Sequence, residues 1–267
     1  MQFYGRVLHA LLDEGIMRRS DSLLVVCGGR TDADFLLEAG FSVATISNLD
    51  TACAQDYSPY QWSHQDAEML SFPDANVDWA VVHGGLHHCA SPHRALLEMC
   101  RVARKGVVVI EARDSALMRL AVRLGFTPEY ELEAVVLHGF SSGGVRNSAV
   151  PNFIYRWTER EVKKTIESAY PDRQNEFRWF YGLELPRERL TMARLPLRLA
   201  AYFLGFGAKV CQWSLPRQGN RFAFAILHNG DKPWIERSGD GVRLRPDFPL
   251  KFDPSKYAAV NSRRKDV

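Results

Sequence analysis

The chain has 267 residues, 46% of them hydrophobic, which is enough to build the core of one large α/β domain. Its formal net charge of +3 is too small to indicate a nucleic-acid partner, and no dense stripe of Lys and Arg with interleaved aromatic residues is present. The five cysteines are odd in number and form no Cys-x-x-Cys pair, which argues against a disulfide framework and favours a reducing compartment.

The first predicted element is an amphipathic helix over residues 3–17, whose apolar side chains share one face. This segment lacks the charged start and long apolar run of a signal peptide. No apolar stretch of the sequence is long and charge-free enough to span a bilayer. We therefore expect a cytoplasmic protein.

A strand, a glycine turn, a helix and a second strand come next. Leu23–Val26 is the first strand, the turn contains Gly28 and Gly29, and Phe41–Ile46 is the second strand. This order is typical of the nucleotide-binding half of a doubly wound α/β fold. The glycines allow backbone N–H groups to approach a ligand closely, because no Cβ intrudes.

Two polar residues lie just beyond the second strand. In doubly wound folds a side chain about 20 residues after the glycine turn holds the ribose hydroxyls. Asn48 and Asp50 both lie near that spacing, and we favour Asp50, with Asn48 as the alternative. The competing interpretation is that Asp50 only caps the following turn.

Two fully apolar runs, Val77–His83 and Val107–Ile110, flank a helical pattern over Pro92–Ala103 that we expect Lys105-Gly106 to end. Continuous apolar strands are buried on both faces, as in parallel sheets. A strand–helix–strand unit of this length predicts a right-handed crossover.

The segment from His83 to Cys89 follows a central strand, at the sheet edge where ligands bind. Its three histidines and one cysteine suggest a metal, but we expect the adjacent His87 and His88 to point apart, and no carboxylate is well placed. We therefore predict no metal site. A histidine can remove a proton from an acceptor hydroxyl, although packing and hydrogen bonding of the loop is the interpretation we favour.

The second half of the chain is less regular. Residues 129–136 are a strand or a helix, residues 139–148 a flexible loop, and Thr158 the N-cap of a helix that continues to about Tyr170. Residues 187–213 are apolar with scattered Arg and Lys, which suits a lid helix, a homodimer contact or a membrane-surface helix. Residues 219–227 form a strong strand, and a charged, extended tail follows.

A family resemblance rests on several short motifs taken together. These are Asp66-Ala67, the run LSFP at 70–73, Asp78 at the start of a strand, Leu86-His87-His88, and EMCRV leading to VVVIEARD at 107–114. The segment resembles the second half of a class I S-adenosylmethionine-dependent methyltransferase domain of the small-molecule, type 11-like group.

The resemblance implies a doubly wound, Rossmann-like, seven-stranded and mostly parallel sheet with an antiparallel last strand. It also implies S-adenosyl-L-methionine as the cofactor. The glycine loop departs from the family pattern, because in ungapped register Leu24 stands at the acidic position and only Gly28 matches a glycine. A carboxylate that often holds the methionine amino group is therefore missing.

The implied site residues fall into three groups. The cofactor-binding set, in which Asp66 accepts from the adenine amino group, is Cys27, Gly28, Gly29, Asn48, Asp50, Asp66, Ala67, His83 and Gly84. The acceptor-binding set belongs to a lid that is rich in aromatic rings and in the guanidinium donors of arginine. Its members are His88, Arg146, Asn152, Tyr155, Arg156 and Trp157. The candidates for a general base are His87 and Tyr155. A strand's core face is the alternative interpretation of Tyr155 and Trp157.

The predicted organisation has four parts. They are a helix and cofactor-binding half (1–125), an acceptor-binding or lid insertion (126–215), a final sheet strand (216–232) and an extended tail (233–267). The predicted activity is methyl transfer to a hydroxyl, less favourably a nitrogen or carbon, of a small molecule or glycan. The alternatives are a membrane-surface enzyme acting on a lipid or quinone, and an inactive scaffold that kept the fold.

Overall fold

The computed structural model describes residues 2–184, 214–239 and 241–249. The apolar segment 187–213 lies outside these residues, as does most of the predicted tail. Within the described ranges, no helix has the length and apolar character needed to cross a membrane.

The chain up to residue 112 alternates helices with strands of one sheet. Its elements are α1 (Phe3–Asp13), β1 (Ser22–Val26), α2 (Arg30–Ala39), β2 (Val43–Asn48), β3 (Gln61–His64), β4 (Val77–His83), α3 (Pro92–Val102) and β5 (Ala103–Ala112). Ser91 caps α3 by accepting a hydrogen bond from the Arg94 N–H, and Pro92 occupies the first turn, where a missing N–H costs nothing.

The remaining described residues add short elements and the last two strands of the sheet. They are α4 (Ala116–Arg123), β6 (Tyr130–Glu131), α5 (Leu132–Leu137), β7 (Asn152–Phe153), α6 (Glu159–Ala169), β8 (Arg173–Gly182), β9 (Arg221–Asp231), β10 (Ile235–Ser238) and β11 (Gly241–Leu244). Thr158 caps α6 as predicted, because its hydroxyl accepts from the Glu161 N–H.

The main sheet has seven strands in the order β3-β2-β1-β4-β5-β9-β8. Strands β1 to β5 are parallel, and β9 runs antiparallel to both β5 and β8. This arrangement confirms the predicted doubly wound sheet with an antiparallel last strand. The strand order reverses between β1 and β4, which is the point where doubly wound folds bind their ligands.

Both faces of the sheet are buried, which is why its strands are continuously apolar. On one face Leu23 and Val25 of β1 pack with α1 and α2. On the other face Leu24 and Val26 pack with α3 and α6. The sheet is therefore held rigidly between two helical layers, and the loops at its carboxyl edge start from fixed positions.

Several element predictions need correction. Lys105-Gly106 does not end a helix: α3 ends at Val102, and Gly106 lies inside β5, where a Cβ would stand 2.1 Å from the Ile226 carbonyl oxygen. Strand β8 was not predicted, and it places part of the proposed 126–215 lid in the main sheet. Part of the predicted extended tail is the hairpin formed by β10 and β11.

Candidate functional site

A cavity of about 220 Å³ lies beyond the carboxyl ends of β1, β2 and β4. Two sides of it can be distinguished. One side is formed by the loops that follow these strands, and the other by α5 and the glycine-containing loop up to Asn147. The predicted site residues that line it are Cys27, Asn48, Asp50, Asp66, Ala67, Gly84, His88 and Arg146.

The turn after β1 contains two adjacent glycines whose surroundings differ. Cys27 has a φ of 53°, so the left-handed position of the turn is one residue before Gly28. A Cβ on Gly28 would lie 2.6 Å from Val25 Cγ1, whereas a Cβ on Gly29 would meet nothing within 4 Å. Gly28 therefore allows β1 and β2 to pack closely, and Gly29 leaves space open at the start of α2.

At the end of β2, Asn48 and Asp50 differ in how much of their polar surface is used. Asn48 donates from Nδ2 to the Gly28 carbonyl oxygen (3.0 Å) and accepts from the Asp50 N–H (3.0 Å). Asp50 Oδ1 accepts from the Ala52 N–H (2.9 Å), so Asp50 does cap the following turn. Its Oδ2 has no hydrogen bond with any described residue, which leaves one carboxylate oxygen for a ligand.

Asp66 and Glu68 meet an arginine from the opposite side of the cavity. Arg146 donates to Asp66 Oδ2 (2.7 Å) and to Glu68 Oε2 (3.0 Å). Glu68 also accepts from the N–H groups of Ala90 (3.0 Å) and Ser91 (2.9 Å), so it fixes the chain just before α3. Arg146 thus joins the two sides of the cavity.

The loop after β4 is held by a buried carboxylate at the end of β5. Glu111 is only 2% exposed and accepts from the Leu86 N–H through Oε1 (2.7 Å) and from His87 Nδ1 through Oε2 (3.1 Å). Gly84 has a φ of +63° and open space on its Cβ side, so its backbone faces the cavity without obstruction. A Cβ on Gly85 would stand 2.4 Å from Cys27 Cβ, which ties this loop to the turn after β1.

His87 and His88 converge on one carboxylate, contrary to our expectation that they point apart. Their ring centroids are 4.5 Å apart, and Nε2 of each lies within 3.4 Å of Glu131 Oε2. Burial alone would lower the pKa of His87, but Glu111 and Glu131 outweigh it and raise that pKa to about 10. An imidazole that is already protonated at neutral pH is a poor base there, so His87 does not suit the predicted base role.

His88 has the better position, because it lines the cavity and His87 does not. Burial and the neighbouring His87 charge lower the pKa of His88, which keeps it neutral. Its Nδ1 lies 2.7 Å from Asn152 Nδ2, and its Nε2 lies 3.4 Å from Glu131.

His83 lies beside the glycine turn but does not line the cavity. Its ring packs on Tyr4 of α1 with centroids 4.7 Å apart, and its Nδ1 is 3.8 Å from Asp32 Oδ1. Asp32 accepts from the Gly29 N–H through Oδ2 (2.9 Å), and its Oδ1 is buried with no hydrogen-bond partner. Burial raises the pKa of Asp32 to about 6.

Four residues assigned to acceptor binding lie away from the cavity. Trp157 is fully buried in the core, and Asn152 is fully buried against His88. Arg156 donates to the carbonyl oxygens of Ile154 and Pro128. Tyr155 donates to Glu161, and burial together with that carboxylate raises its pKa well above the usual range, so it is no base.

Other residues complete the cavity without having been predicted. They include Leu49, Cys53, Glu68, Gly85, Cys89, Ala134, His138, Gly143, Gly144 and Asn147. Those between 134 and 147 come from a segment whose position depends on tertiary contacts such as the pairing of β6 with β7. The sequence offered one sign that Glu68 would line the cavity, namely its position two residues after the predicted site residue Asp66.

Comparison with known proteins finds a family model that matches part of the chain. Residues 25–110, about a third of the chain, match the model of the family described as "Methyltransferase domain". This match assigns the segment to a methyltransferase domain of the S-adenosylmethionine-dependent class. The match begins at Val25 near the end of β1, contains β2, β3 and β4 with the segments between them, and ends at Ile110 within β5.

Solved structures with low sequence identity resemble this fold. An S-adenosylmethionine-dependent methyltransferase from Thermotoga maritima is 13% identical, with 85% of this chain and 95% of that chain covered and a TM-score of 0.46. Magnesium protoporphyrin IX methyltransferase from Synechocystis PCC 6803 is 10% identical, with 84% and 81% covered and a TM-score of 0.49. No curated protein matches the sequence significantly.

The cofactor of this enzyme class, S-adenosyl-L-methionine, fits the residues present. Gly84 lines the cavity with open space on its Cβ side, and Asp50 Oδ2 is available for a hydroxyl donor. Gly29 also has open space on its Cβ side, while its N–H is donated to Asp32. The buried, unpartnered Asp32 Oδ1 is an acceptor at the glycine turn, where the family's usual carboxylate is missing from β1. When bound, the cofactor supplies an electrophilic methyl group on a sulfonium.

Proposed function

We propose that this methyltransferase acts on a hydroxyl group of a small polar molecule, glycans included. The observation that supports this acceptor is the composition of the cavity wall opposite the predicted cofactor residues. That wall presents His138 and Asn147, and the loop after β4 adds His88; all three are hydrogen-bonding groups suited to hydroxyls. It presents no pair of free carboxylates, which an amine substrate would favour, because Glu68 and Asp66 are both paired with Arg146.

In this proposal the cofactor lies along the strand ends. Asp50 accepts from the ribose diol. The Asp66 carboxylate accepts from the adenine amino group, and the backbone N–H of Ala67 donates to the adenine ring. The open backbone at Cys27, Gly29 and Gly84 faces the methionine part. Gly28 acts indirectly, because it allows the turn to pack closely against β2.

The protein's contribution to the reaction is mainly positional. Holding the acceptor oxygen in line with the methyl group replaces a bimolecular encounter by a reaction between oriented groups. His88 lies at the cavity wall, with Glu131 3.4 Å from its Nε2, and can orient the acceptor hydroxyl or take its proton. Exclusion of water depends on the loop that carries Arg146.

Two measurements on the full chain test this function. Calorimetry with S-adenosylhomocysteine should give a dissociation constant at micromolar strength or below, as expected for a catalytic methyltransferase. Asp50→Asn keeps an oxygen for the turn cap but removes the charge, so it should weaken this binding by about tenfold, near the lower limit for losing one charge-assisted hydrogen bond. Asp34→Asn, an exposed carboxylate on α2, is the matched control and should bind as the wild type does.

The acceptor class needs a separate assay. Incorporation of labelled methyl groups across a panel of hydroxylated, amine and carboxylate compounds should yield base-stable methyl ethers. Labelled products formed only from amines, or only base-labile esters, would contradict the hydroxyl assignment while leaving the methyltransferase assignment intact. Absence of any binding of S-adenosylhomocysteine would instead favour the inactive scaffold.

A further inference from the structure

Two histidines and a glutamate form a compact set of ligand atoms next to the cavity. His87 Nε2 lies 3.3 Å from Glu131 Oε2, and His88 Nε2 lies 3.4 Å from the same oxygen. One ligand atom from each of the three residues lies within 4.8 Å of the others. Among the described residues, no other set of three or more His, Cys, Asp or Glu side chains meets this criterion.

The first histidine has an outer partner that fixes its orientation. Glu111 Oε2 lies 3.1 Å from His87 Nδ1, and Glu111 itself is anchored by the Leu86 N–H. A carboxylate that accepts from Nδ1–H leaves Nε2 directed toward Glu131, and a metal ion that displaces the Nε2 proton would bind the lone pair there. Carboxylate–histidine pairs of this kind are the usual support of histidine ligands to metals.

The second histidine is supported by a buried amide. Asn152 lies against His88 Nδ1 at 2.7 Å, and its Oδ1 is buried with no partner. The same Nδ2 lies 3.3 Å from Glu131 Oε2, so this amide contacts two of the three residues of the cluster.

The backbone brings the three ligands together rigidly. His87 and His88 lie on the short helical turn Leu86–His88, which follows the central strand β4. Glu131 is paired with Asn152 across the β6–β7 ladder. The cluster therefore joins the main sheet to the segment that closes the cavity.

We propose that His87, His88 and Glu131 bind a divalent first-row transition-metal ion, of which Zn²⁺, Co²⁺ and Ni²⁺ are the candidates. Imidazole ligands favour these ions over Mg²⁺ and Ca²⁺, which prefer all-oxygen sites. Two histidines and one carboxylate leave a coordination position open, as in catalytic zinc sites. Because His88 lines the cavity, that position is available to an oxygen of the acceptor.

Metal binding itself does not depend on the proposed acceptor, whereas the contact with an acceptor oxygen rests on the proposed function. The experiment is therefore a binding measurement. The full chain is dialysed against a chelator and then titrated with Zn²⁺ in competition with a chromophoric chelator, and with Co²⁺ followed by absorbance. One ion per chain and visible Co²⁺ bands without a sulfur-to-metal charge-transfer band are expected.

Variants assign the ligands. Glu131→Gln and His88→Gln should each weaken binding by at least about tenfold, which is the smallest effect usual even for an outer-shell partner. His93→Gln removes a histidine that pairs with Glu161 elsewhere, so it should bind metal as the wild type does. Thermal melting in chelator checks that each variant folds. Because Glu131 is about one third exposed, its replacement should disturb folding less than that of a buried residue.

Three outcomes would overturn the site. The first is that the folded wild type binds no more metal than Glu131→Gln does. The second is a thiolate charge-transfer band, which would place the ion on Cys27 and Cys89 of the same cavity. The third is an equal loss of affinity in His93→Gln. Each result is independent of whether S-adenosylhomocysteine binds, so the failure of this site and that of the proposed function can be told apart.

Discussion

Gly28 and Gly29 are neighbours in the turn after β1, but an added methyl group would meet different surroundings at each. At Gly28 it would collide with Val25 Cγ1, which belongs to a stiff, buried side chain, and would approach Ile46 at 3.2 Å. At Gly29 it would enter open space, and the backbone φ of −153° there is accessible to any residue. Gly28 therefore serves packing, whereas no neighbouring atom requires a glycine at Gly29, which fits its predicted place beside the cofactor.

This contrast gives a prediction for two alanine variants. Gly28→Ala should lower the free energy of unfolding by about 1–3 kcal/mol, the usual cost of overpacking. Gly29→Ala should unfold like the wild type but bind S-adenosylhomocysteine about tenfold more weakly or worse, because its methyl group fills the space next to the cofactor. Urea titration and calorimetry on both variants check this. If Gly29→Ala bound the nucleoside normally, the methionine part would not lie at this turn.

At the scale of elements, the loop between α5 and β7 is held to the cavity by one side chain. Arg146 has a φ of 51° and reaches Asp66 and Glu68, while Gly143 and Gly144 line the cavity with their backbone. The ion pairs connect this loop to the chain between β3 and α3. The loop can act as a wall of the cavity only while that connection persists.

Replacing this arginine should loosen the loop without weakening the core. In Arg146→Gln we expect amide hydrogen exchange across residues 139–148 to rise ~2- to 5-fold, as for the loss of exposed ion pairs, with an unchanged melting temperature. Arg119→Gln, which breaks an exposed pair with Asp114 on α4, is the control and should leave exchange in the loop unchanged. Exchange that stayed at the wild-type rate in Arg146→Gln would show that other contacts hold the loop.

At the scale of the whole molecule, the sequence predicted the sheet better than the site. Strands β1, β4 and β5 are buried on both faces, so their apolar runs are local and continuous. Strand β8 was missed because its side chains are only partly buried and its pattern is mixed. The boundary at Gly106 was wrong because its glycine is required by contacts with Trp79 and Ile226, which are distant in sequence.

The site shows the same division between local and long-range information. The loop ends near Asp50, Asp66 and Gly84 follow directly from strand order, and the structure brings them to one cavity. The convergence of His87 and His88 on Glu131 spans more than 40 residues and depends on the folding of the 126–153 segment. No local pattern around the histidines indicates which carboxylate reaches them.

At the amino ends of the strands, on the side of the sheet away from the cavity, lies an ionic cluster that affects the stability of the fold in acid. Asp78 at the start of β4 accepts from the N–H (3.0 Å) and hydroxyl (3.1 Å) of Ser22 and pairs with Arg104 (2.8 Å) and Lys105 (3.1 Å). Burial alone would raise the pKa of Asp78, but these donors outweigh it and lower that pKa to about 2. The same lysine also pairs with Asp21 at 2.6 Å.

Because the folded-state pKa of Asp78 lies below the unfolded value of 3.8, its ionisation stabilises the fold. This contribution, about 2 kcal/mol, is fully present above pH ~4 and is lost as the pH falls through about 2. Asp78→Asn should therefore be less stable than the wild type at pH 7, and the difference should shrink as the pH falls from ~4 toward ~2. Urea unfolding at a series of pH values measures this, with Asp74→Asn, an exposed partner of Arg101, as the control. A difference between Asp78→Asn and the wild type that stayed constant from pH 7 to ~2 would mean that the hydrogen bonds of Asp78, and not its charge, stabilise this edge.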